Sequence, residues 1–226
     1  MHSKLTPVVA GIVDKDVRGW RFEPILVDGV AVVAKTAMFL RIKAEPGTKD
    51  NYTLRIEDVR FGGPRRADRT TPPHYPDEAV RSHVGAKVMV ALRLDEDGNV
   101  ADAQAYQTSL DARAGSEEQA RHFRLLFERA SLIAARHWHF DLSEKLNGKP
   151  VGTSALVPVV YSLVEGRFPH SDDGRWRSYL PGPVTPAPWM HQQVADNRSV
   201  DALAEGESLS LDSRFHLKSN VIGKAL

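Results

Sequence analysis

The chain has 226 residues, 42% of them hydrophobic and 26% charged, the composition of a globular protein of one or two domains. Lys and Arg total 30 against 29 Asp and Glu, so the net charge of +1 creates no overall field toward nucleic acid or an anionic membrane. The absence of cysteine excludes disulfides, thiolate metal sites and cysteine nucleophiles; it suits an oxidising compartment and equally the cytosol.

Residues 8–42 carry an amphipathic segment closing on Trp20-Arg21-Phe22, then a turn at Asp28-Gly29, then an apolar strand over 30–42. The same series returns about 118 residues later, as Trp138-His139-Phe140, Asn147-Gly148 and an apolar strand from 154. One order repeated at one offset predicts two related modules, the first lacking its beginning. Met38, Phe39, Leu40 and Ile42 are expected as core or edge positions, and alternation at Tyr52, Leu54 and Ile56 predicts a strand over 52–61. An orphan helix end and strand bury too little to fold alone, unless that second strand pairs with 32–42 to make a hairpin. Arg60, Arg65, Arg66 and Arg69 follow in a Gly- and Pro-containing run that reads as a solvated linker, or as a patch for an anionic envelope partner.

Breakers at 70–76 precede a short helix expected over 76–84, with Pro76 at its first position, Asp77 and Glu78 in its positive first turn, and Gly85 as its stop. Val88, Val90, Leu92 and Leu94 alternate with mostly polar or small neighbours, predicting a half-buried strand over 86–94. Asp97-Gly98 marks a tight hairpin to a return strand over about 100–108, whose Ala-rich composition makes it weak. Ser116 with Gln119 forms a capping box for a helix running to about 138. Its expected apolar stripe is Phe123, Leu126, Phe127, Ala130, Ile133, Ala134 and Trp138. The strand over 154–164 contains Pro158, which cannot donate to a ladder, so it is expected at a sheet edge with that position facing away from its neighbour.

The fold class is therefore α+β, with a small antiparallel sheet, helices on one face, and module order helix, strand, strand, helix, strand. This order resembles the C-terminal domain of TonB-type energy transducers. The resemblance covers residues 72–163, about two-fifths of the chain, and rests on Tyr75-Pro76, Gly85 with the alternating Val strand, Asp97-Gly98-Asn99-Val100, Trp138-x-Phe140, Asn147-Gly148-Lys149-Pro150 and Val157-Pro158-Val159. It implies a periplasmic domain that captures a short peptide of TonB-box type from an outer-membrane transporter, or a segment of another envelope protein, by adding it as a strand to the sheet edge. An export signal is then expected upstream of Met1, since residues 1–7 lack the apolar core of one. The chain departs from the family in having no membrane helix, no Pro/Lys/Glu-rich spacer and two modules, which puts force transmission in doubt. Isolated domains of the family can exchange strands, so a homodimer is also implied.

The implied partner-binding residues are Tyr75, Pro76, Leu156, Val157, Val159, Val160, Tyr161 and Leu163. On pattern alone, the strand residues are core or edge positions and Tyr75 is a staple packing the helix start. His137 and His139 point about 200° apart on a helix and cannot share an ion, and Asp95-x-Asp97 lacks the remaining ligands of a calcium loop. No nucleophile elbow, phosphate-cradling loop or dinucleotide fingerprint occurs. No enzyme, metal or cofactor is expected, and neither is a nucleic-acid partner or membrane insertion. Residues 179–189 read as an extended Pro-rich arm able to fold back over the edge, and 210–218 alternate enough for a late strand. The expected division is 1–62 half-module, 63–75 linker, 76–165 complete module and 166–226 mostly irregular extension. An alternative reading is an unanchored structural or assembly protein of the envelope.

Overall fold

A computed structural model describes residues 7–47, 51–67, 71–111, 115–163, 179–190 and 203–226. The protein is α+β, with three helices and several small antiparallel sheets among the described residues. It divides into two compact units, Met1–Gly62 with Glu144–Lys149 and Ser213–Leu226, and Gly63–Ser143 with Pro150–Asp212. Part of the expected extension thus belongs to each unit; its residues 166–178 and 191–202, like Arg69, lie outside the described residues.

In the first unit, α1 (Pro7–Val17) leads through Trp20 to the hairpin of β1 (Leu26–Val27) and β2 (Val30–Ala31), then β3 (Ala34–Lys35), β4 (Met38–Pro46) and β5 (Tyr52–Phe61). Positive φ at Asp28 (52°) and Gly29 (79°) gives the first hairpin the twist its strands need. The expected long strand over 30–42 is broken into three pieces. β4 pairs with β5 along its length, Met38 opposite Phe61 and Pro46 opposite Tyr52, with a bulge at Arg41/Ile42. Ile56, Val59 and Val221 form its small core, flanked by Trp20, Met38, Leu40 and Phe61. The expected strand over 210–218 reduces here to an isolated bridge, Leu217 to Phe22.

The second unit opens with β6 (Arg65–Arg66), α2 (Asp77–Arg81), β7 (Ala86–Leu94), β8 (Val100–Asp111), α3 (Glu117–Ala135) and β9 (Phe140–Asp141). The Arg run is therefore not a solvated linker throughout: β6 pairs with β9, and the Arg66 guanidinium lies 5.1 Å over the Trp138 ring. Pro76 is the residue before α2 rather than its first. The helix ends at Ser82 instead of Gly85, because His83 adopts φ 52° and closes the end with Val84 N–H to Ala79 O and His83 N–H to Val80 O. Ser116 Oγ accepts the Gln119 amide at the start of α3.

β10 (Lys145–Leu146) pairs with β3 in the first unit and turns at Asn147-Gly148, again with positive φ, into β11 (Lys149–Pro150). β12 (Thr153–Tyr161), β13 (Tyr179–Leu180) and β14 (Leu209–Ser210) complete a five-stranded sheet of order β13-β8-β7-β12-β14. One face packs on α3 through Val88, Val90, Leu92, Val157, Val159 and Tyr161. The buried line of α3 is Ala120, Phe123, Phe127, Ser131 and Ala135, while Ile133, expected inside, is 54% exposed.

The other face is not half-solvated as alternation suggested. Met89, Ala91, Tyr106 and Leu156 are buried there under Ala187, Leu203 and Leu209. This second layer is aperiodic chain from the C-terminal extension, so the sheet has two dry faces although helices cover only one.

Candidate functional site

The candidate site is the outer side of β12. In antiparallel pairing a residue's N–H and C=O point to one side, and the side alternates along the strand. Leu211 N–H donates to Ser154 O at 2.8 Å, so Ser154, Leu156, Pro158 and Val160 direct their backbone groups away from β7. Pro158 therefore lies where its missing N–H costs no bond to β7.

Contrary to the sheet-edge position that Pro158 predicts, β12 is not the outermost strand. β14 pairs with it at Ala155 opposite Ser210 and Leu156 opposite Leu209. Beyond those positions the ladder stops at Pro158, which offers no donor, and the turn at Gly206 (φ 83°) carries the chain off the edge. Among the described residues, no strand pairs with Pro158 or Val160 on that side.

The predicted partner-binding side chains do not gather on one surface. Val157, Val159 and Tyr161 lie in the core under α3, and Leu156 is fully buried on the opposite face. Val160 and Leu163 are exposed, each at 37%, and Tyr75 and Pro76 are half-buried. Tyr75 packs edge-on against Phe127 at 5.6 Å and Tyr161 at 5.4 Å, and its hydroxyl donates to Val84 O at 2.7 Å. It is a staple joining the approach to α2 to the core, and Pro76 follows it as the extended residue just before the helix. Burial pushes the Tyr75 phenol up to about 12, aided by the charge of Asp111. Burial likewise raises Tyr161 to about 12 against the opposing effect of its 2.9 Å bond with Ser131.

The opposite sheet edge is also occupied. β13 pairs with β8, Leu180 opposite Leu110, and the following arm stays on β8 through Gln107 Nε2 to Gly182 O and Thr185 N–H to Tyr106 O. Gly182 permits this approach: a Cβ there would lie 2.2 Å from Thr108 O. The expected Pro-rich arm thus folds back, but onto β8 and the sheet face, while a separate segment near 209 reaches β12. Nothing in the spacing of Leu203, Leu209 and Leu211 announces that second contact, since a two-residue strand is too short to show a period.

A groove of about 520 Å³ lies along α3, lined by Pro72, His74, Pro76, Leu126, Arg129 and Ile133 among others. His137 and His139 make separate contacts, to Ile133 O and to the Asn99 side chain. No group of three or more His, Cys, Asp or Glu able to hold a metal occurs among the described residues, and no described helix is long and apolar enough to cross a membrane. No family model, no curated protein and no solved structure matches the chain.

Proposed function

We propose that this chain is a noncovalent binder of extended peptides that works by strand addition along β12, in the manner of the TonB-type C-terminal domain that residues 72–163 resemble. Its ligand is a TonB-box-like segment of an outer-membrane transporter, or a segment of another envelope protein, met in the periplasm. The observation that carries this reading is that the outer side of β12 already accepts an antiparallel strand at Ala155 and Leu156, while at Pro158 and Val160 no strand among the described residues pairs with it. An interface of this size suits an affinity near micromolar, on the order of −8 kcal/mol.

The tandem organisation belongs to the same proposal. What supports it is a series that recurs along the chain, a helix, then Trp-x-Phe, then a two-residue turn with φ near 50° and 80°, then a long strand, although the second turn, Asn147-Gly148, belongs to the first unit. The alternative, an unanchored structural or assembly protein of the envelope, draws on a different observation, that both sheet edges are met by the chain's own segments.

A proline scan of β12 tests strand addition, read by fluorescence anisotropy with a labelled synthetic peptide of TonB-box type. Val160→Pro removes an outward donor and leaves the ladder to β7 intact, so binding is lost while the fold survives. Val159→Pro strikes the ladder to β7 and destabilises the protein itself. Unchanged binding in a folded Val160→Pro variant would sink the mechanism.

A further inference from the structure

The occupant of the β12 edge describes the ligand that the edge is built to take. Leu209 is 3% exposed and seated among Met89, Ala91 and Leu156. Ser210 Oγ meets Thr153 Oγ1 at 3.2 Å. Asp212 then closes the strand: its two carboxylate oxygens take the Ser154 N–H at 2.9 and 3.0 Å, and one accepts the Thr153 hydroxyl at 2.7 Å. Ser154 is buried, and its N–H faces outward at the beginning of the strand, where an unmet donor would be costly. A carboxylate supplied from the adjoining strand answers that donor with charge-assisted bonds.

The same segment is the least firmly paired partner of β12. It matches the strand at two positions, whereas β7 matches it at nine, so a competing strand need break little to replace it. Pro158 limits how far β14 can zip, which leaves the edge beyond it as a foothold for an incoming chain.

We propose that the β12 edge selects an extended, antiparallel segment of the pattern apolar, hydroxyl, any residue, carboxylate, and that Leu209 to Asp212 is the chain's own copy, closing the edge until such a segment displaces it. This rests on the strand-addition reading above and adds both the ligand pattern and the regulation. The partner is thus a protein with an exposed Leu-Ser-x-Asp-like stretch, its acid set three residues after its apolar anchor.

The experiment uses the full chain with a fluorescent synthetic peptide of residues 206–214 as probe. Leu211→Pro removes the N–H given to Ser154 O, and Asp212→Asn weakens the cap without altering the backbone. Hydrogen exchange at the Ser154 and Leu156 amides reports whether the edge has opened. Both releasing variants are expected to exchange faster there and to bind the probe about tenfold or more tighter than the unaltered chain, and a probe carrying Asn for its Asp to bind about tenfold more weakly.

Faster exchange without probe binding overturns the proposal and the strand-addition reading together. Tight, equal binding by unaltered and released chains overturns the closing role alone and leaves capture standing. Equal binding of the Asp and Asn probes overturns the carboxylate in the ligand pattern. Unchanged exchange in both variants overturns the claim that this segment shields the edge.

Discussion

Replacing Tyr161 with Phe separates a core role from a partner-binding role for a residue that the sequence places on the binding strand. The hydroxyl of Tyr161 meets Ser131 Oγ at 2.9 Å and approaches Phe127 O only at 3.5 Å. Ser131 is fully buried in the middle of α3. Tyr161→Phe therefore loses one buried hydrogen bond and strands a hydroxyl, a cost of about 1–2 kcal/mol. Ser131→Ala leaves the phenol only its long bond to Phe127 O, at about 1 kcal/mol after roughly 0.5 kcal/mol is returned by the better helix propensity of Ala. Removing both leaves two apolar groups facing each other and no orphan, so the double variant should cost no more than about 1 kcal/mol. The cycle thus has a coupling energy of about 1 kcal/mol or more. Urea unfolding followed by far-ultraviolet circular dichroism measures all four corners. Additivity of the single variants within about 0.5 kcal/mol would refute the reasoning, as would a Tyr161→Phe variant with undiminished stability.

His83→Gly should stabilise the second unit by about 1 kcal/mol, because a left-handed residue with a Cβ ends α2; an unmoved or lowered urea midpoint would count against this. Gly98→Ala should cost more than about 3 kcal/mol, since the new Cβ would stand 2.0 Å from Phe140 O at φ 84°. Gly148→Ala, at φ 81° in open space, should cost only about 1 kcal/mol, and equal midpoints for the two would remove the steric distinction. Tyr75 and Tyr161 hold their protons to about 12 in the fold against the ordinary value of 10, so their stabilising contribution is complete below about pH 10 and lost as pH rises toward 12. A flat stability profile across that window in the wild type, or no flattening in a Tyr75→Phe/Tyr161→Phe variant, would contradict this.

Elements with a strong period were legible in the sequence, and those made by distant aperiodic chain were not. β7 spans Ala86–Leu94 and β5 spans Tyr52–Phe61 as alternation indicates, and Ser116 caps α3 through Gln119. The far end of α3 was harder: it closes at Ala135, and Trp138 is buried beyond the helix, where its indole donates to Thr71 O. No glycine marks that stop, so the apolar spacing ran on past it. His83 conceals the end of α2 for the same reason, because a non-glycine residue in the left-handed region carries no compositional signal. Pro158 does face away from β7, yet it could not indicate that two residues near position 209 would pair with β12 just short of it and take the sheet edge. Met89 sits on the side of β7 that alternation assigned to solvent, and only the C-terminal segments reveal what dries that side and buries Leu156 beside it.

The order in which the chain leaves the ribosome gives the sheet's outer strands a consequence for folding. β7, β8 and β12 are synthesised before β13 and β14, so for an interval the central ladder has both margins unpaired and the Met89, Ala91 and Leu156 side wet. The contacts that end this interval span long stretches of sequence, the kind that form slowly. During that time the nascent protein carries the features that invite intermolecular association, and its yield should depend on chaperone supply and translation rate more than its finished stability would suggest.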